Sequence, residues 1–536
     1  MYSTNYGSKS IDHLGLVAGF CESIGLQEYI DNLIPKKSNQ SGLSHGTLLT
    51  AMILNGLGFV SRTLHMYPEY FSEKATEHLL GSGVMPEQLN DDATGRSLEA
   101  FYDEGVSKIY AGLALKVTDY LGLDCKSMNM DTTSFHTDGQ YEQDIDAQCI
   151  KITKGYSRDH RPELNQVVLN LLTENQAGIP LYMQACSGNA NDMETFKQLV
   201  KSHLSSLKAA YNNTYLIGDA ALYTEECIRS LSEQEQLFIT RVPQKLVEAK
   251  SIIQQASNVD WEPLENGYSG SWFSSSYGGV SQRWLLVRSQ QAKKRESSIL
   301  HKAISRDTEL AVKSFKKLCH RSFACDNDAS KALSVWLETQ KFVSVENVHF
   351  IENTKQDRRG RPSPNSPVKI TYQISGNLCT NLNLCEEAEQ GTGLFILATN
   401  DLSDGMSMQF LLDEYKSQQA VERGFRFLKS PEFLTSSLYL KKPERIESLL
   451  MVMTCSLMVY AAIEHLIRIQ LVAKAMFFPD MKKKPTQKPT ARWVFSCFQG
   501  IDLLTVNNRV NLVINLTDRH KIILGCLGEN YWKYYS

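Results

Sequence analysis

Residues 411–429, LLDEYKSQQAVERGFRFLK, constrain the fold more than any other stretch, because they read as a helix with one chemically loaded face. Tyr415, Gln418, Glu422 and Lys429 follow at steps of three, four and seven residues. On a 3.6-residue period that sets all four side chains on one side, with Phe425 beside them. Most helical faces carrying Glu, Lys and Tyr are simply solvated. A carboxylate, an amine, a phenol and an amide become chemistry only if further carboxylates join them to hold a metal beside a phosphodiester. Two such acids stand far upstream. Asp131 follows KSMNM and Asp219 follows TYLIG, each at or near the end of a short apolar, strand-like run.

The segments around these acids have the order of a mixed α/β domain. Residues 127–131, 166–172 and 181–185 read as three strands, with Glu174-Asn175-Gln176-Ala177-Gly178 as a hairpin turn between the last two. A helix over 192–207, a strand over 214–219, a helix over 224–232 and a strand over 237–241 follow. An antiparallel meander continued by strands alternating with helices is the order of a ribonuclease-H-like core, in which Asp131 and Asp219 would lie side by side. Taken singly, an Asp after a strand is most often a turn former or helix cap. Acids in the order Asp, Asp, Glu, two on strands and one on a helix, predict a nucleotidyl-transfer site.

The expected fold class is therefore an α/β ribonuclease-H-like catalytic core, a mixed sheet flanked by helices, with a helical N-terminal domain and a β-rich insertion. The expected boundaries are a helical region over 1–122, the core over 123–247 and 391–440, an inserted β-rich and basic module over 248–390, and a helical region over 441–536. Helical periodicity covers 11–33, 47–60 and 97–121, and Asn90-Asp91-Asp92 supplies a capping signal before the last of these. An interruption as long as 248–389 must carry structure of its own. It contains Trp261, Trp272 and Trp284, a basic helical run over 290–318 and strands over 283–288, 342–351 and 368–374. Asp357-Arg358-Arg359-Gly360-Arg361-Pro362 reads as a basic loop able to reach phosphates.

On these residues the chain resembles the DDE transposases of bacterial insertion sequences. The resemblance is to the insertion-sequence-four-like superfamily, whose last acid sits in a YxxRxxxExxxxxxK signature of YREK type. Tyr415, Glu422 and Lys429 match that spacing, and Gln418 stands where the arginine is usual. A neutral amide can hydrogen-bond a phosphate but brings no charge. LNDDATGRSLE at 89–99, KGYSRDHRPEL at 154–164 and KPTARWVFSCFQGI at 488–501 also look like segments of this group.

The resemblance implies a cut-and-paste transposase that binds the inverted-repeat ends of an element and catalyses DNA strand cleavage and transfer. Catalysis would use Mg²⁺, with Mn²⁺ as a substitute. Asp131 would bridge two ions, and Asp219 and Glu422 would complete one shell each. Tyr415, Gln418, Lys429, Arg158, His160 and Arg161 would contact DNA phosphates. The helical amino-terminal region would recognise the ends. Trp272 or Trp284 in the insertion could stack a flipped base, although Trp is mainly a packing residue. The partners implied are double-stranded DNA, both transposon ends and target, and a second copy in a dimeric DNA complex, with no membrane. Two rivals remain open: a hydrolytic nuclease of the same fold, and a non-catalytic DNA-binding protein derived from such an enzyme.

Composition narrows the setting. With 536 residues and 42% apolar content the chain can bury a large core. Its formal charge of −3 would argue against nucleic acid if spread evenly, but residues 283–321 carry eleven Lys or Arg against Glu296, Asp307 and Glu309. Twelve cysteines without a CxxC or zinc-like spacing suit a reducing cytoplasm, and the resemblance implies that of a bacterium, with the protein on its nucleoid. The start, MYSTNYGSKSIDHLG, has no signal-peptide pattern, so no export is expected. The apolar stretch 449–472 holds Glu464, His465 and Arg468, which favours a buried helix over a membrane span.

Overall fold

The computed structural model describes residues 6–36, 42–59, 62–137, 141, 149–156, 161–191, 197, 203–211, 214–356, 368–418, 424, 427–430, 440–506 and 510–536. The chain forms two compact units. The first takes residues 1–240, 276–280 and 411–536, and the second takes 241–275 and 281–410.

The first unit opens with a short strand, β1 (Tyr6–Ser10), and helices Leu14–Ser23, Leu26–Leu33 and His45–Gly56. Asn90 caps the helix Asp91–Glu104, its side chain accepting from the Ala93 N–H at 2.9 Å, as the sequence predicts. The expected single helix over 97–121 is instead divided at Gly105, whose φ of 100° only glycine adopts without strain, and a second helix runs from Val106 to Leu121.

The mixed sheet of this unit follows, with β2 (Ser127–Thr137), β3 (Asn165–Glu174), β4 (Pro180–Ser187), β5 (Tyr215–Gly218) and β6 (Leu237–Arg241). Its order is β4-β3-β2-β5-β6. The first three pair antiparallel, whereas β2 with β5 and β5 with β6 pair parallel. β3 is buried along nearly its whole length, so both faces of the sheet are covered at its centre. The hairpin between β3 and β4 is held by Glu174, whose carboxylate accepts from the N–H groups of Gln176, Ala177 and Ile179. Burial pushes that carboxyl up while those donors pull it down, and burial is the larger effect.

The second unit contains β7 (Glu262–Pro263), β8 (Tyr268–Ser275), β9 (Gln282–Ser289), β10 (Val343–Gln356), β11 (Val368–Thr380) and β12 (Leu394–Thr399). Strands β12, β9, β8 and β7 are neighbours in that order and antiparallel. The helices Gln290–Cys319 and Asp326–Glu338 pack with the β10-β11 hairpin around Phe315, Leu318, Phe323, Ala329, Leu333 and Ile374. Insertion-like in position, this unit is as helical as it is stranded.

The chain then returns to the first unit. The helix Pro443–Ala473 is apolar all round and 78% of its most apolar stretch is buried, so it acts as the core rod of the helical part. It packs on helices Leu14–Ser23, His45–Gly56, Asp91–Glu104 and Val106–Leu121, and on β4. β13 (Phe478–Pro479) and β14 (Pro485–Thr486) form a short ladder, and β15 (Asp502–Val506) pairs with both β1 and β16 (Val510–Ile514). Gly95, in the LNDDATGRSLE segment, leaves room for the Arg445 guanidinium, which lies 2.7 Å from where a Cβ would stand. Arg445 and Lys442 both bind Glu99 there.

Candidate active site

The parallel pairing of β2 with β5 decides the geometry. Ser127 faces Tyr215, Met128 faces Leu216 and Asn129 faces Ile217. The pairing ends there: Asp131 lies two residues further along β2, and Asp219 is the first residue after β5. Asp131 is the fifth residue of an eleven-residue strand rather than its last, and it is half-exposed between buried neighbours. Asp219 is exposed just beyond the end of β5.

Each acid is held by local backbone. Asp131 Oδ1 accepts from the Thr132 N–H at 2.7 Å, and Asp219 Oδ1 accepts from the Ala221 N–H at 2.9 Å. The Asp219 carbonyl accepts from the Thr240 hydroxyl at 2.7 Å, which fastens the turn to β6. Gly218 makes this turn possible, since a Cβ there would meet the Leu222 side chain at 2.8 Å.

The signature segment arrives on the face of β2 that holds Asp131. Asn129, two residues before Asp131 and fully buried, donates to the Ser417 hydroxyl at 3.3 Å and to Asn175. Asn175 in turn donates to Glu414 at 2.5 Å. At the other end of the segment, the Lys429 ammonium lies 5.8 Å from the Phe135 ring centre. Residues 129, 131 and 135 alternate onto one face, so contacts from Ser417 and Lys429 bracket Asp131 along the strand.

The expected continuous helix over 411–429 is not what the described residues form. The helix Met408–Lys416 contains Tyr415, half-buried, but stops before Gln418, which sits in a turn with its N–H directed to the Tyr415 carbonyl at 3.3 Å. The Ser417 hydroxyl bonds back to the Glu414 carbonyl, a side-chain bond that competes with helix propagation. Helical conformation is found again at Gly424, Phe427 and Leu428, and Lys429 lies in the turn after them. Glu422 and Phe425 lie outside the described residues.

KGYSRDHRPEL meets the sheet near the far end of β2. Gln166, which faces His136, donates to the carbonyls of Tyr156 at 3.1 Å and Gly188 at 2.7 Å. Gly155 and Gly188 pack backbone to backbone, a Cβ on either meeting a carbonyl oxygen at 2.0 Å. Beside them Thr133, Ser134, Tyr156, Asn189 and Asn191 line a polar cavity of about 380 Å³. Arg161 is exposed and pairs with Glu163. Arg158 and His160 lie outside the described residues, as does the basic loop at 357–362 apart from the strand that precedes it.

The two tryptophans separate clearly. Trp284 is fully buried on β9, between Phe273 and Ala398 in the ladder, so it cannot receive an extruded base. The strand pattern at 283–288 buries its centre, and that packing decides its role. Trp272 is half-exposed with the Arg283 guanidinium 4.2 Å from its ring centre, and Trp261 holds Arg288 at 4.3 Å.

Asn129, Glu414, Ser417 and Gln166 belong to no sequence motif, and with Asn175 of the hairpin turn they fasten the segments together. Asn129 offered a signal: a polar residue inside an apolar strand, two before the acid. Glu447 was also passed over; burial, and then the nearby Glu444 carboxylate, push it up to about 7. Among the described residues no three His, Cys, Asp or Glu gather as a metal cluster. Asp131 and Asp219 present a pair of hard oxygen donors without thiol or imidazole, which suits a divalent ion of the magnesium type.

Parallel pairing sets the strand that carries Asp131 beside the strand that ends at Gly218, one residue before Asp219. Residues 137–459, more than half the chain, match the model of the transposase DDE domain, and the protein belongs to that family. That stretch includes Asp219 and Glu422 and begins six residues after Asp131, whose place rests on the strand pairing. Residues 6–115 match a domain of unknown function, DUF4277. No curated protein matches the chain. Among solved structures it is similar to one described as a piggyBac transposase synaptic complex with hairpin DNA. The TM-score is 0.38 at 9% identity, over 92% of this chain and 82% of that one.

Proposed function

We propose that this transposase-family protein is a ribonuclease-H-like enzyme that cuts DNA at the ends of an insertion sequence and joins them to a target, as YREK-type members of the insertion-sequence-four-like superfamily do. The observation that supports the reading is the parallel pairing of β2, which carries Asp131, with β5, which ends one residue before Asp219. The strand order β4-β3-β2-β5-β6, antiparallel then parallel, supports the ribonuclease-H-like assignment.

Glu422 is the third acid. Asp131, Asp219 and Glu422 would hold divalent ions, Mg²⁺ or Mn²⁺. When bound, such ions stabilise charge on the attacking and leaving oxygens of an in-line displacement at phosphorus. Lys429, Tyr415 and Gln418 orient the phosphates beside the scissile bond, and Arg158, His160 and Arg161 contact the flanking backbone. Two copies acting on paired ends, in a bacterial cytoplasm, complete the reading.

The test is strand cleavage and joining on a duplex carrying the element's ends. Asp131→Ala should abolish nicking while end binding stays within about threefold. Full nicking by that variant would overturn the assignment. Nicking without any joining would make the protein a hydrolytic nuclease.

A further inference from the structure

We propose that the exposed face of the helix Gln290–Cys319 is a docking rail for the phosphate backbone of duplex DNA. The proposal deepens the reading above and rests on it for the identity of the polymer. The helix is thirty residues long and buries only Ala311, Phe315 and Leu318. At about 100° per residue those three fall within an arc of about 60°. On the other side Arg295, Lys302, Arg306, Lys313 and Lys317 recur at intervals of seven, four, seven and four, and all five are exposed. That spacing confines them to an arc of about 60°, turned away from the buried trio.

The charges are sorted rather than mixed. Glu296 lies toward the buried side and accepts from the Gly393 N–H at 2.7 Å. Asp307 lies there too, 3.8 Å from Arg306, the one member of the stripe with an acid partner among the described residues. Glu309 alone borders the stripe. An ordinary solvated helix interleaves its signs to form i,i+4 pairs, whereas here Glu309 before Lys313 is the one acid at that spacing from a cation of the stripe.

The dimensions select the occupant. At about 1.5 Å per residue the stripe is about 33 Å long, close to one turn of B-form DNA. Its two i,i+4 pairs, Lys302 with Arg306 and Lys313 with Lys317, have centres about 16 Å apart, enough to straddle a major groove of about 12 Å and meet a phosphate row on either rim. No aromatic side chain lies on the stripe, whereas surfaces for single strands need stacking platforms.

The experiment is duplex binding by the full chain as a function of salt. Replacing Lys302→Gln, Arg306→Gln, Lys313→Gln and Lys317→Gln together keeps helix propensity and removes four cations. The slope of log K against log salt should fall in magnitude by about 3 to 4, and each pair alone should lower it by about 2. The triple change Lys482→Gln, Lys483→Gln, Lys484→Gln should leave the slope within one unit of wild type. An unchanged slope in the quadruple variant, or an equal fall in the triple, overturns the rail. Stripe-dependent capture of phosphatidylserine vesicles with an unchanged DNA slope overturns it as well and assigns the face to a membrane surface. Normal wild-type cleavage with an unchanged slope sinks the rail alone. A stripe-dependent slope with no wild-type cleavage sinks the proposed function alone.

Discussion

The two units of this molecule make their chemistry in opposite ways. In the first, the proposed acids come from β2 and from just after β5, strands that lie side by side although two whole strands and a helix of sequence separate them. In the second, the charged surface comes from a single uninterrupted helix, whose period alone sorts cations from acids. A site built by pairing fails when one partner changes, because its geometry is shared. A surface built by repetition loses strength in increments. The first unit should therefore respond to single substitutions in activity, and the second should respond in packing or in graded binding.

The sharpest way to break that contrast is at Asp219. Asp219→Asn should lower strand cleavage about a thousandfold or more, while its exposed position keeps the change in unfolding free energy under about 0.5 kcal/mol. Cleavage rates and urea midpoints measured together check both halves, and a stability loss matching the activity loss would reduce Asp219 to a turn former. Next comes Trp284→Ala, which empties a fully buried site on β9. It should cost about 3–5 kcal/mol and expose residues 241–410 to protease first. Wild-type resistance in that variant would mean that the second unit does not depend on its sheet for stability.

Glu447 tests the first unit's core. Because burial raises it from 4.5 to about 7, the folded state binds its proton more tightly than the unfolded chain does. The protein is thus more stable with this group protonated, and that advantage is lost as pH rises through about 7. Glu447→Gln should gain on the order of 2–3 kcal/mol at pH 8 and little at pH 4, read from urea unfolding at the two pH values. A variant that gains equally at both would show that packing, not ionisation, limits that site. Smallest is Trp272→Ala, which removes a half-exposed ring under Arg283 and should cost about 1 kcal/mol or less in thermal unfolding. A larger loss would make Trp272 a core residue like Trp284.

Much of the first unit was legible in advance. The strands at 127, 166, 181, 214 and 237, the hairpin at Glu174 and the Asn90 cap all appear within a few residues of their predicted places. These features depend on apolar alternation and on side chains that bond their own neighbours, which are local properties. The single helix over 411–429 failed because Ser417 turns its hydroxyl onto the Glu414 carbonyl and accepts from Asn129, a partner nearly three hundred residues away. Trp284 packs in the core, as is usual for Trp, while strand periodicity alone does not reveal which ladders flank it.

The amino-acid order by itself determined the strands of the first unit's mixed sheet and the Asn90 cap, and it determined the basic stripe at 295–317, because a helical period fixes which residues share a face. Only the tertiary structure decided that β2 and β5 pair side by side, that Asn129 receives the signature segment two residues from Asp131, and that Trp284 lies buried. Register between strands depends on which faces are covered and by what, and that information is spread over the whole chain.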